Sequence, residues 1–154
     1  MEIERKFLIS RENLPKDIEK YPFHMIEQAY LCINPVIRVR RQDEQFILTY
    51  KGKGMMIREE YNLPLTQKGY LHLLKKADGI QIIKKRYLIP LESGHIAELD
   101  EFHGEYEGLL TAEIEFASEE EANTFRKPDW FGEDVTFDQK YHNSYMSLGR
   151  QENN

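Results

Sequence analysis

Cysteine is almost absent from this 154-residue chain: Cys32 stands alone, so no internal disulfide can form, and a reducing, cytoplasmic setting is expected. No apolar run approaches the roughly 20 residues that span a bilayer, and the chain opens on acidic, strand-like residues unlike a signal peptide. Excess positive charge is missing too. The net charge of −6 argues against general nucleic-acid binding, which needs a basic surface. The histidines (His24, His72, His95, His103 and His142) fall at no metal-ligand spacing and read as surface or structural groups. Cys32 has no basic neighbour to activate it and reads as packing. No internal repeat or low-complexity linker divides the chain. One domain over residues 1–150 is expected, long enough to bury a core.

What the chain has in quantity is alternating charge. In Met1-Glu2-Ile3-Glu4-Arg5-Lys6-Phe7, a period of two puts Glu2, Glu4 and Lys6 on one strand face and Ile3, Arg5 and Phe7 on the other. The pattern returns in 23–31, 36–42, 45–52, 57–63, 80–89, 95–103 and 109–117, each bounded by turn residues. Thr66 to Ala77 reads as a helix capped by Thr66, with an apolar stripe at Tyr70, Leu71, Leu73 and Leu74. Ser118 caps a second helix that opens on Glu119-Glu120-Glu121 and is stopped by Pro128. A third is expected from about Lys140, after a turn-like tail in which Trp130-Phe131 covers one end of the sheet. Eight antiparallel strands and three helices suit a mainly β (α+β) fold in which the sheet closes as a barrel.

The charges are sorted by sign. Acids arrive as pairs at 2/4, 98/100 and 113/115, and bases as pairs at 38/40 and 84/86, while the alternate faces are mostly apolar. An ordinary solvated sheet face would scatter charge types. Like charges about 4 Å apart at an effective dielectric near 20 repel by about 4 kcal/mol, so segregated clusters need counter-ions. A carboxylate cluster suits a hard divalent cation, and an Arg/Lys cluster suits phosphate. Together they describe a metal-bound polyphosphate inside a barrel whose charged faces point inward.

Glu2-x-Glu4-x-Lys6 is an ExExK signature. With Gln28-x-Tyr30, Arg38-x-Arg40, Thr49-x-Lys51, Arg58-x-Glu60, Lys84-x-Arg86, Glu98-x-Asp100, Glu113-x-Glu115 and the ending Trp130-Phe131-Gly132…Lys140-Tyr141-x-Asn143, the whole chain resembles the CYTH, or triphosphate tunnel metalloenzyme, superfamily. The resemblance implies an eight-stranded antiparallel β-barrel tunnel with flanking helices, and a metal-dependent triphosphatase. The short members with this ending resemble tripolyphosphatases most; class IV adenylate cyclase, thiamine triphosphatase and a non-catalytic polyphosphate-binding module are the alternatives. It further implies that Lys6, Arg38, Arg40, Lys51, Arg58, Lys84, Arg86 and Lys140 bind the phosphates. Glu2, Glu4, Glu60, Glu98, Asp100, Glu113 and Glu115 would hold one or two Mg²⁺ or Mn²⁺ ions, with Glu113, Glu115, Lys84 and Arg86 closest to the chemistry. The expected partner is a small triphosphate, with no nucleic acid and no membrane, and the protein is a monomer or homodimer. Two departures stand out: Asn62 where many relatives carry an acid, and Ala29 in place of the usual glycine.

Overall fold

Strands with one charged and one apolar face can bury both only by curling. In the computed structural model, which describes residues 1–149, nine strands form a single antiparallel sheet. They are β1 (Glu2–Leu8), β2 (Phe23–Ile33), β3 (Val36–Gln42), β4 (Gln45–Lys51), β5 (Ile57–Arg58), β6 (Glu60–Pro64), β7 (Asp78–Pro90), β8 (Ile96–His103) and β9 (Leu110–Glu115). The sheet order is β5-β1-β9-β8-β7-β2-β3-β4-β6. The expected domain end at residue 150 lies outside the described residues. No helix among the described residues is long and apolar enough to cross a membrane.

The two end strands of that order are chain neighbours, separated only by Glu59. The stretch read from sequence as one strand, 57–63, is therefore two. Its first part pairs with β1 (Glu2 opposite Arg58, Ile3 opposite Ile57), and its second pairs with β4 (Glu60 opposite Lys51). The switch bends the chain at Glu59 and joins the sheet's ends, giving a nearly closed barrel with nine strands instead of eight. Gly54, just upstream, has φ 122°, and a Cβ there would stand 2.1 Å from the carbonyl oxygen of Ile57, so the turn accepts only glycine.

The rest of the free edge of β1 is covered by the tail. Leu8 N donates to the Glu133 carbonyl (2.8 Å), Gly132 N to the Leu8 carbonyl (2.7 Å) and Val135 N to the Lys6 carbonyl (2.9 Å). Arg5 locks this segment from outside, with its guanidinium 2.8 Å from the Asp134 carboxylate and 2.8 Å from the Ala122 carbonyl.

The apolar faces point outward and are roofed. Helix α1 (Gln67–Leu74) lays Tyr70 on Ala29 and Val39 of β2 and β3; the Thr66 side chain caps it by accepting from Gly69 N. Helix α2 (Glu119–Thr124), capped by Ser118, joins Phe125 and Phe131 over Phe7, Ala112, Ile114 and Phe116. Trp130-Phe131 thus packs on the barrel's outer wall, not across its end: the rings of Phe131 and Phe7 lie 5.0 Å apart. The end is closed from within. Tyr30, Val36, Ile82 and Phe102, all on inward faces, cluster with Met146 of the short helix α3 (Asn143–Met146). The helix expected from about Lys140 is split into a 3-10 turn (Gln139–Tyr141) and this α3.

Phe7 is fully buried between the sheet and the tail's aromatic residues. Phe7→Ala should cost about 3–5 kcal/mol in urea unfolding; a loss under about 1 kcal/mol would show that this outer layer is not a packed core.

Candidate active site

The inward faces enclose a cavity of about 290 Å³. It is lined by Glu2, Glu4 and Lys6 of β1, Arg38 and Arg40 of β3, Lys51 of β4, Arg58 and Glu60 of β5 and β6, Lys84 and Arg86 of β7, Glu98 of β8, and Glu113 and Glu115 of β9. Strand pairing gathers them: residues opposite one another across antiparallel neighbours share a face, as Lys6 and Glu113 do on β1 and β9. Two expected site residues are placed elsewhere. Lys140 leaves the cavity, its side chain 64% exposed and 3.6 Å from Asp138, because the 3-10 turn that carries it lies on the surface. Asp100 is fully buried behind the lining, both oxygens taken by Arg86 and Lys84, so as placed it anchors bases and faces no ligand. Ala29 lies on the outer face under α1, so its departure from glycine touches packing and not the site.

Arg86 organises the acidic wall. Its Nε and Nη2 fork onto Asp100 at 2.7 and 3.0 Å, its Nη1 reaches Glu98 at 2.7 Å, and Glu113 lies 3.8 Å from Nη2. Burial opposes its charge, but Asp100 and Glu98 together hold its pKa well above the ordinary arginine range. Glu113, also 3.1 Å from the Lys6 ammonium, is buried yet held well below the usual carboxylate range by Lys6 and Arg86. Lys6 in turn donates to the Tyr141 carbonyl at 2.9 Å.

The opposite wall is basic and undercompensated. Among the described residues neither Arg38 nor Arg40 makes an ion pair: Arg38 donates to Thr49 Oγ1 (3.1 Å) and Arg40 to Gln28 Oε1 (2.7 Å). Burial, then the neighbouring Arg38 and Arg86, pull Arg40 down to about 9. Lys84, 1% exposed, sits 2.8 Å from Asp100 and 2.8 Å from Asn143 Oδ1. Burial dominates there, with Arg86 and Arg40 adding to it against Asp100, and its pKa falls to about 7. A wall of cations short of counter-charge is a receptor for a polyanion.

At the other end of the cavity the carboxylates are short of cations. Glu4 and Glu115 stand directly opposite each other on β1 and β9, a destabilising like-charge register, and neither carboxylate has a side-chain hydrogen bond or ion pair among the described residues. Burial first, then Glu113, pushes Glu4 up to about 7. Glu2 is pushed up to about 8 by burial and by its hydrogen bond with Glu60, although Lys51 lies 3.1 Å away. Among the described residues no three acidic, His or Cys groups stand close enough to hold a metal as placed. The donor chemistry fits one all the same: Glu2, Glu4, Glu60 and Glu115 offer only carboxylate oxygens, and Glu4 and Glu115 have no ion-pair partner among the described residues, as suits a hard divalent cation.

Several lining residues were given no role in the site by the sequence reading. Gln28 and Tyr30 share the inward face of β2, and Asn62 accepts from Thr49 at 2.6 Å. The tail contributes Thr136, His142, Asn143 and Ser144. His142, expected to be structural or on the surface, is half-buried and lines the cavity, with Nε2 2.9 Å from the Thr136 carbonyl oxygen. Burial lowers its pKa.

A sheet closed around sorted charges has counterparts among known proteins, and residues 1–147 match the CYTH domain family. The chain belongs to this family. Among CYTH relatives, it is 34% identical over 151 residues to an inorganic triphosphatase of Nitrosomonas europaea, an alignment covering 96% of this chain and 97% of that protein. It is 36% identical over 150 residues to an inorganic triphosphatase of Acetivibrio thermocellus, covering 94% and 92%. A solved crystal structure of an inorganic triphosphatase superposes with a TM-score of 0.72 at 32% identity, covering 99% of this chain and 97% of that one.

The pKa values at the carboxylate end carry a prediction for metal binding. With Glu2 pushed up to about 8 and Glu4 to about 7, protons occupy much of this end at neutral pH and a cation must displace them. Affinity for Mg²⁺ or Mn²⁺ should therefore rise about tenfold or more from about pH 6 to 8, with release of about one proton per ion in calorimetry across buffers of different ionisation enthalpy. Affinity that is flat with pH and released protons near zero would show that these carboxylates do not receive the ion.

Proposed function

We propose that this protein is a divalent-metal-dependent triphosphatase of the cytoplasm, and that its substrate is inorganic tripolyphosphate held in the barrel tunnel. One observation carries the reading: among the described residues a single cavity holds two arginines without ionic partners, Arg38 and Arg40, together with two carboxylates without them, Glu4 and Glu115. A linear triphosphate with its metal supplies both missing charges. The names of the CYTH relatives support the same chemistry. The lining is predominantly charged and polar, with Val36, Ile47 and Met55 as aliphatic or thioether members and Tyr30 and His142 as its rings, which suits a bare phosphate chain better than a nucleobase or thiazolium.

In this reading Arg38, Arg40, Lys51, Lys84, Lys6 and Arg58 grip phosphate oxygens, and Arg86 holds Glu98 and Glu113 in place beside them. Glu2, Glu4, Glu60 and Glu115 take the metal, with Glu98 and Glu113 adjoining. One or two Mg²⁺ or Mn²⁺ ions bound there would neutralise the phosphates and lower the pKa of an attacking water. The buried cations would pre-organise the leaving and transferred phosphoryl groups. One domain, as monomer or homodimer, suffices for this, because one barrel supplies every group named.

The deciding experiment is a steady-state panel with Mg²⁺ and Mn²⁺. Orthophosphate should appear from tripolyphosphate at least about tenfold faster than from ATP or thiamine triphosphate, since one lost or misplaced charge contact already costs about 1.4 kcal/mol or more. Cyclic AMP with pyrophosphate from ATP would establish a cyclase; tight binding with no product would establish a binding module.

Two substitutions separate the walls. Arg40→Ala should weaken tripolyphosphate binding by about 2–5 kcal/mol, because a buried charge-assisted contact is lost. Glu115→Ala should reduce kcat at least about a hundredfold while tripolyphosphate still binds, the basic wall being intact. Equal losses of binding in both variants would contradict the division of the tunnel into a phosphate wall and a metal end.

A further inference from the structure

Asn143 enters the tunnel on α3, a helix with no charged residue of its own, and is buried with 8% exposure. Its Oδ1 accepts from Lys84 Nζ at 2.8 Å and from Gln28 Nε2 at 2.9 Å, while Gln28 Oε1 accepts from Arg40 Nε at 2.7 Å. The directions are forced. An ammonium and a guanidinium only donate, so Asn143 must turn its oxygen to Lys84 and Gln28 its oxygen to Arg40; the Gln28 amide then donates to Asn143. We infer that Asn143 is a positioning residue for phosphate binding: through Lys84 directly, and through Gln28 to Arg40, it aims two cations of the tunnel wall at the substrate. This rests on the triphosphatase reading above.

The need for such a residue follows from the charges. Lys84 and Arg40 lie on β7 and β3, on either side of β2, and each is buried with too little counter-charge to fix its direction. With Asp100 and Asn143 holding two of its three donors, Lys84 has one left for the cavity it lines. With Gln28 holding Nε, the terminal nitrogens of Arg40 are left for the cavity as a pair, the geometry that grips a phosphate. A carboxylate in place of Asn143 would do the same aiming but would cancel the charge meant for the ligand; a neutral acceptor aims without cancelling. Because α3 also carries Met146 into the apolar seal of the tunnel end, the position of Asn143 is set by packing and not by the ligand.

The test is a thermodynamic cycle on the full chain, reading the calorimetric affinity for tripolyphosphate together with KM and kcat. Asn143→Leu should weaken affinity and raise KM about tenfold, equivalent to roughly 1.4 kcal/mol. In a Lys84→Met background the same change should cost only about threefold, the share transmitted by Gln28 and Arg40. Asn143→Ala takes the same place in the cycle if the leucine variant does not fold. An unchanged affinity in a folded Asn143 variant, or a full tenfold loss in the Lys84→Met background, overturns this inference alone. Wild-type protein that neither binds nor hydrolyses tripolyphosphate overturns the triphosphatase reading beneath it.

Discussion

The grip of Arg86 on the acidic wall is the contact on which the interior depends. Three carboxylates from two strands converge on this one guanidinium: Asp100 and Glu98 from β8, and Glu113 from β9. Glu98 and Glu113 are directly opposite in the ladder, so without a shared cation their register would be repulsive. Removing one partner from a buried ionic group costs about 3–5 kcal/mol, and here one deletion takes a cation from three acids at once, leaving Asp100 to Lys84 and Glu113 to Lys6. The fork onto Asp100 also selects arginine over lysine, because its two parallel bonds need the planar donor pair.

That contact divides the bases into two kinds that are chemically alike on paper. Arg86, Lys6 and Lys51 already have carboxylates at 2.7–3.1 Å. Arg38 and Arg40 have neutral acceptors only, and Lys84 shares its single acid with Arg86. The first group builds the tunnel. On the proposed reading the second is what an incoming anion meets first, before Lys6 and Lys51 give up their carboxylates to join it.

Much of this was legible in the sequence, because period-two alternation fixes which face each strand residue shares and apolar alternate faces leave a closed barrel as the way to bury them. The inward set of Glu2, Glu4, Lys6, Arg38, Arg40, Lys51, Lys84 and Glu113 came from that rule alone. Long-range facts were not legible. Nothing local marks Glu59 as the point where pairing passes from β1 to β4, since the alternation runs straight through it. Residues 132–136 cover β1 without strand alternation, held by backbone bonds, by Thr136 Oγ1 accepting from Lys6 N and by the Arg5–Asp134 pair, with glycine at 132 because a Cβ there would stand 2.7 Å from the Leu8 carbonyl oxygen. Lys140 differs from Lys84 only in the turn that carries it. Asn143 and Gln28 are neutral, and a search for charges passes over the amides that aim them.

On the proposed reading the ion pairs of the interior also explain why the two ligands belong together. Lys6 and Lys51 now neutralise Glu113, Glu2 and Glu60. A phosphate that recruits either lysine releases a carboxylate, and a metal that recruits a carboxylate releases a lysine. Each ligand therefore creates the charge that the other binds. By linkage the advantage is reciprocal and equal in free energy, whichever arrives first. A barrel with a wholly basic lining would bind phosphate more tightly at first contact, but it would have nowhere to seat the ion and would repel itself when empty. Interleaving the acids lowers the self-repulsion of the barrel and, on the proposed reading, favours the metal–triphosphate pair over either half.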